Sequence, residues 1–243
     1  MYQSHLLYCV TFFMEKIFYN KRDQFYVATD CIIFGFTENR LKLLLFKRKV
    51  TPLAGKWSLI GSFVNKDEDV QDAGKRVLFE ITGLHDVYMD ELKSYAKVDR
   101  DPGARCISIA QYALIQITEK VNKIIESNGA SWHEVTKLPE LVLDHSDMVI
   151  DALDKLEQNA RTSPIGFELL PDKFTLPQLQ GLYEAIYRRE LDTRNFRKKI
   201  LSLDILIKLE EKDKSTSKKG AFYYRFNPDK YAELVATGYN FVI

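Results

Sequence analysis

Glu68, Arg76 and Glu80 lie in the stretch GSFVNKDEDVQDAGKRVLFEITGL, residues 61–84, in an order that has the outline of a phosphate-cleaving metal site. On a helix, positions 77, 80 and 81 stand at i, i+3 and i+4 and share one face, so three carboxylates there could hold Mg²⁺ against a diphosphate. The sequence instead places Val77 and Ile81 at two of these positions and leaves Glu80 alone. Magnesium prefers oxygen ligands in octahedral geometry, and one carboxylate between two branched alkyl groups is a poor site for it. Burying Val77 and Ile81 would stabilise the helix by roughly 1.5–3 kcal/mol each if fully covered. The expectation is a helix kept for its core face, with no metal, no cofactor and no catalysis.

A second polar group lies in KVDRDPGARCISIAQY, where Asp99, Arg100, Asp101 and Arg105 cluster in a loop that leads directly into an apolar strand. Ligand groups commonly sit on loops held between rigid strands. Carboxylate and guanidinium groups at this spacing can hydrogen-bond vicinal hydroxyls, and an arginine can take a phosphate bidentately. A solvated turn with local ion pairs is the competing reading. Asp30, Lys47, Trp57 and Glu80 are the other candidate walls of the same effector pocket, and each could equally be core or surface. His5, His85, His133 and His145 are scattered, and no spacing among them suggests a metal site or a triad.

A third group is cationic. Arg194, Asn195, Arg197, Lys198 and Lys199 fall off the apolar stripe of DTRNFRKKILSL, and Lys214, Lys218 and Lys219 stand in the polar stretch KDKSTSKKG. Between Arg188 and Arg225 there are 12 Lys or Arg against 6 Asp or Glu, a local +6 in a chain whose total is +1. That local excess is the electrostatic footprint of a nucleic-acid reader, which the total charge hides. Basic side chains position a protein on phosphates, while Arg and Asn near a helix start can read base edges. Arg194, Asn195 and Lys198 are the candidates for base contacts, and the wing lysines for phosphate. A merely solvated, charged helix remains the alternative.

These groups need elements to hold them. CIIFGF and LKLLLFKR, joined by TENR, read as a hairpin, and CISIAQYALIQI reads as another long strand. Asp67 to Thr82 places Val70, Ala73, Val77, Leu78 and Ile81 at helical period, with Gly83 as the stop. DHSDMVIDALDKLEQNA continues the helical pattern into RTSPIG, whose Ser, Pro and Gly mark a linker near residue 162. TLPQLQGLYEAIY then reads as an amphipathic helix with Thr175 as N-cap and Pro177 in its first turn. DTRNFRKKILSL is a second helix, with Asp192 as N-cap, and LIKLEE and AFYYRF flank a polar loop. Helix, turn, helix and hairpin is the winged form of a helix-turn-helix.

With 46% hydrophobic and 28% charged residues in 243, the composition is that of an ordinary globular protein of one or two domains. Cys9, Cys31 and Cys106 form no metal-ligand pair and read as free thiols in a reducing cytosol. LLYCVTFFM is too short to span a bilayer and lacks the flanks of a signal peptide, so a cytoplasmic location without membrane contact is expected. Met14 is a candidate true start, with residues 1–13 an upstream extension.

The opening stretch resembles the Nudix box, whose pattern is Gly, five residues, Glu, seven residues, Arg-Glu, apolar, any, Glu-Glu, any, Gly, apolar. Aligned on its end, Gly83, Leu84, Glu80, Leu78, Arg76 and Glu68 match, Ser62 stands at the opening glycine, and Val77 and Ile81 replace two catalytic acids. GKWSLIGSFV before it and ASWHEVTKLP after it also look like Nudix flanks. The fold class that follows is α+β, an α/β/α Nudix fold, followed by a C-terminal winged helix-turn-helix. The domains expected are an N-terminal extension at 1–24, a Nudix-like effector-binding domain at 25–162 and a DNA-binding domain at 163–243.

The combination, from about Phe18 to Phe226, resembles the Nudix-related transcriptional regulators, and within them the sugar-responsive, AraR-like branch of Bacteroidetes. That resemblance implies a homodimeric repressor of sugar-utilisation genes on a double-stranded DNA operator, released by a pentose such as L-arabinose. Another branch of the same family responds to ADP-ribose and controls NAD synthesis genes. A residual Mg²⁺-dependent pyrophosphatase is another reading, and a non-enzymatic interaction module whose basic wing binds RNA or protein is a further one.

Overall fold

A computed structural model of the chain describes residues 22–215 and 219–238. Met14 and Cys9 lie outside the described residues, as do Lys218 at the wing and residues 1–21 of the expected N-terminal extension. Among the described residues no helix is long and apolar enough to cross a membrane.

The first half is built on a seven-stranded sheet. β1 (Tyr26–Thr37) is its centre, pairing in parallel with β6 (Cys106–Gln116) along one edge. Along its other edge it meets β4 (Ile60–Phe63) at its start and β2 (Arg40–Lys47) at its end. β2 also carries β3 (Trp57–Ser58) and β7 (Ala130–Glu134), while β5 (Tyr88–Tyr95) pairs with β6. The TENR turn is as tight as the sequence suggests. Glu38 and Asn39 both take left-handed φ, 53° and 57°, which suits the twist of a two-residue hairpin.

Side chains alternate across the sheet, and the two faces bury different partners. Cys31, Ile33, Leu44, Ala113 and Ile115 face α1 (Val70–Thr82) and α2 (Glu119–Ser127). Ile32, Phe34, Leu43, Leu45, Tyr112 and Leu114 point the other way, toward α3 (His145–Thr162). α3 lays His145, Met148, Val149, Ala152, Leu156 and Ala160 on that face at intervals of three and four, the spacing of one helical stripe.

The second half has the expected order. A 3-10 turn at Ile165–Leu169 and the short β8 (Phe174–Thr175) lead into α4 (Leu176–Tyr187) and α5 (Thr193–Ser202). β9 (Leu206–Asp213) and β10 (Ala221–Phe226) form the wing, and α6 (Pro228–Ala236) follows. Thr175 and Gln178 make a reciprocal capping box at the start of α4, and Asp192 Oδ1 accepts the Asn195 N–H at 2.7 Å at the start of α5.

The stretch near residue 162 is not a free tether. Gly166, Leu169 and Leu170 are buried, and α4 packs on both β2 and α3, so one hydrophobic cluster runs through both halves. The approach is tight at Gly181 of α4, where a Cβ would stand 2.8 Å from Asn39 Oδ1 of the β1–β2 turn. Glycine is the residue that admits this contact.

Tyr183, at the centre of α4, is fully buried, and its hydroxyl has no hydrogen-bond partner among the described residues. An orphaned buried hydroxyl costs about 1–3 kcal/mol relative to a paired one. Tyr183→Phe is therefore expected to stabilise the chain by about 1 kcal/mol, raising the melting temperature by roughly 2–4 °C. Circular dichroism melts check this, and a lower melting temperature would show that the hydroxyl is bonded in solution.

Candidate functional site

On α1 the box residues have become structure. Val77 is 3% exposed in the cluster with Cys31, Ile33, Leu44 and Ile60, and Ile81 packs against the same cluster. Arg76 donates to both oxygens of Glu68 at 2.7 and 2.9 Å, reaches Glu80 at 3.4 Å, and bonds the Phe63 carbonyl at 3.2 Å. The Arg76 bonds, with the Asn65 N–H, hold the Glu68 carboxyl down at about 2. Both surviving acids of the box are thus paired with one guanidinium. Among the described residues no three His, Cys, Asp or Glu side chains are grouped to hold a metal. The donor set does not fit Mg²⁺, which needs several free oxygen ligands.

The other face of the sheet carries a buried ionic cluster. Arg100, 7% exposed, gives Nε and Nη2 to the two oxygens of Asp144 at 3.0 and 2.7 Å, a bidentate pair. Its Nη2 also lies 3.5 Å from Asp30, which is 8% exposed and accepts the Ser108 hydroxyl at 2.6 Å. Burial opposes the charge on Arg100, but the bonds to Asp144 and the field of Asp30 outweigh it and raise its pKa. A Cβ at Gly61, opposite Asp30 on β4, would collide with the Asp30 carboxylate.

His145 closes the cluster at 1% exposure. Its Nδ1 accepts the Leu59 N–H at 3.1 Å, so in the neutral ring the proton sits on Nε2. Nε2 is 3.6 Å from Asp30 Oδ1, beyond hydrogen-bonding distance. Burial lowers the pKa of this ring, and the nearby Arg100 and Arg48 lower it further against the pull of Asp30, keeping it neutral at pH 7.

A cleft of about 420 Å³ opens beside this cluster, between the end of β5 and the start of α3. Lys93, Tyr95, Lys97, Asp144, Asp147 and Asp151 line it. The volume lies in the range of small-molecule sites. Within it Asp151 accepts the Tyr95 hydroxyl and the Lys93 ammonium, each at 2.6 Å.

The candidate effector residues therefore separate. Asp30 and Arg100 come together, while Glu80 belongs to α1 on the opposite face of the sheet and cannot share their pocket. Arg105 is turned to the carbonyls of Ala96 and Lys97 and lies over the Phe25 ring, and Asp101 caps a turn at the Gly103 N–H. Both are spent on local structure. Asp99 is exposed in the same loop. Lys47 lies over Trp57, whose carbonyl accepts the Val142 N–H and so ties the β2 edge to the segment before α3. Sequence reasoning missed Asp144, His145, Ser108 and the cleft residues.

In the second half, Phe196 and Ile200 bury one stripe of α5, and Arg194, Asn195, Arg197, Lys198 and Lys199 are exposed on the rest. Among the described residues, no carboxylate lies within ion-pairing distance of Arg194, Arg197 or Lys198. Lys214 and Lys219 are exposed at the tip of the wing, and Lys208 and Lys212 lie 3.8 and 4.3 Å from the Phe222 ring centre. A capped helix with Arg194, Arg197 and Lys198 exposed on one face, beside a basic wing, can lie in a groove of double-stranded DNA.

Known proteins match both halves. Residues 25–152 fit the profile of the NUDIX domain, and residues 166–226 that of the NrtR DNA-binding winged helix domain. The chain is 30% identical over 212 residues to the ADPR responsive transcriptional repressor NtrR of Acinetobacter baylyi, covering 84% of this chain and 83% of that protein. It is 32% identical over 131 residues to the ADP-ribose pyrophosphatase of Methanocaldococcus jannaschii, covering 54% of this chain and 77% of the other. Its fold superposes on Shewanella oneidensis NrtR complexed with a 27mer DNA at a TM-score of 0.76 and 26% identity, over 88% of this chain and 97% of the other.

Proposed function

The chain belongs to the NUDIX domain family, and on that premise we propose that it is a DNA-binding transcriptional repressor whose operator affinity ADP-ribose lowers. The observation that carries the DNA-binding part is the exposed cationic face of α5, set beside the wing and joined through α4 to the first half. The resemblance over both halves to a repressor, and over the whole fold to a protein solved on DNA, supports it.

For the effector, the comparisons give no support to the sugar-responsive branch or to L-arabinose. The names of both relatives carry ADP-ribose instead, one as a responsive repressor and one as a pyrophosphatase. The Arg100 cluster suits such a ligand chemically. A guanidinium can take a phosphate bidentately, and Asp144 and Asp147, which line the cleft beside it, can accept ribose hydroxyls. We read the protein as a sensor without hydrolase activity, because Val77 and Ile81 replace two acids of the box and Arg76 pairs with the two that remain. A homodimer on two half-sites about one helical turn apart completes the proposal, since two winged helices combine their limited affinities.

The test is fluorescence anisotropy of the purified chain on a duplex that it selects in vitro from random DNA, with and without ADP-ribose. Binding released by ADP-ribose and not by L-arabinose is the expected result. Release by arabinose alone would restore the sugar reading. Incubation of ADP-ribose with Mg²⁺ is expected to yield no AMP above background, and steady AMP release would make the protein a hydrolase.

A further inference from the structure

α3 reaches from the Arg100 cluster to the helix-turn-helix. Its 18 residues span about 27 Å at the rise of an α-helix. Asp144 stands at its N-cap position, where an aspartate normally takes an orphan N–H of the first turn. Here it makes no such bond among the described residues, and its φ and ψ, −96° and 19°, are not the extended values of a working cap. Arg100 instead holds both carboxylate oxygens, at 3.0 and 2.7 Å.

The other end of α3 holds the DNA reader. Arg188, in left-handed conformation at φ 53°, ends α4 and begins the turn to α5. Its Nη2 donates to Asp154 Oδ1 at 2.7 Å and Glu157 Oε2 at 2.9 Å, both on α3. The Tyr187 hydroxyl donates to the Ala160 carbonyl at 3.1 Å. The residue that ends α4 and begins the turn to α5 is therefore bonded to α3 itself.

We propose that α3 transmits the effector signal by an exchange of partners at Asp144. A ligand phosphate that engages Arg100 frees the carboxylate, which turns to cap the first turn of its own helix. Asp144 thus has two alternative partners, and the ligand selects between them. The movement of α3 that accompanies capping reaches the turn before α5 through Asp154 and Glu157. This rests on Arg100 being the effector contact. It adds the route by which that contact alters DNA affinity.

The test uses the full chain and needs no ligand. Serine at position 144 is a good cap but cannot hold Arg100, so Asp144→Ser places α3 in the released state. Anisotropy on the duplex selected by the unmodified chain is expected to show affinity lowered about tenfold, within the usual span of allosteric coupling. Adding Asp154→Asn and Glu157→Gln, which cut the link to Arg188, is expected to bring the affinity back to within threefold of the chain carrying those two changes alone. Wild-type affinity in Asp144→Ser, or the same loss with and without the link, overturns the proposal. If Asp144→Ser melts early, Arg100→Lys takes its place, because a lysine cannot hold both carboxylate oxygens. ADP-ribose added to the unmodified chain separates the two ideas. Release by ADP-ribose with an inert Asp144→Ser keeps the sensor and removes the route. Loss of affinity in Asp144→Ser without any effect of ADP-ribose keeps the route and removes the ligand.

Discussion

Alanine at Arg194, Arg197 and Lys198 together is expected to weaken binding to the selected duplex about a thousandfold, while ADP-ribose binding stays within twofold. The three side chains are exposed on the face of α5 that Phe196 and Ile200 do not bury. A good base-reading side chain contributes roughly 1–3 kcal/mol of discrimination, and removing a cation from a phosphate reduces the slope of log affinity against log salt by about 0.9. Anisotropy at three salt concentrations measures both quantities. Exposed substitutions away from caps and cores change stability by only about 0.5 kcal/mol, so the melting temperature serves as the control for folding. Undiminished DNA affinity would remove α5 from the role of recognition helix.

Arg100→Met is expected to cost about 3–5 kcal/mol of folding stability, because it leaves Asp30 and Asp144 buried without their cation. Methionine fills much of the same volume, so the loss measures uncompensated charge rather than a cavity. Total stabilities are typically about 5–15 kcal/mol, which makes this a large fraction and readily seen in urea unfolding. Adding Asp30→Asn and Asp144→Asn should recover a good part of it. The buried carboxylates would then be neutral amides, and the cost of unpaired charge would be gone. A single Arg100→Met variant as stable as the unmodified chain would mean that water reaches the cluster in solution.

Local signals were legible in the sequence and long-range pairings were not. Gly83 stops α1 at φ 70°, and Thr175 and Asp192 cap α4 and α5, because each of these depends on neighbours within a turn. The replacement of two acids by Val77 and Ile81 likewise told correctly that α1 buries that face. The ionic cluster gave no such sign. Arg100 and Asp144 are 44 positions apart, and His145 looked like one of four scattered histidines. Only the pairing of β1 with β6, which sets Asp30 opposite Ala110 and beside Ser108, decides which face these groups share. Grouping Glu80 with them failed for the same reason, since a sheet lies between. α6 was overlooked although Asn227 and Pro228 announce its start, and its apolar Tyr231 and Leu234 merely lean on the core.

The single hydrophobic cluster that joins the sheet to α4 and the wing bears on how variants of this protein would behave in a cell. A core shared by both halves unfolds as a unit, so damage to the sensor removes the reader as well. Loss-of-repression alleles would then be scattered over the whole chain and would say little about where DNA or effector binds. Alleles of the opposite kind, which repress and cannot be induced, must keep that core intact. They would be confined to the few polar positions around Arg100 and along α3, and a genetic screen for them would map the signalling residues directly.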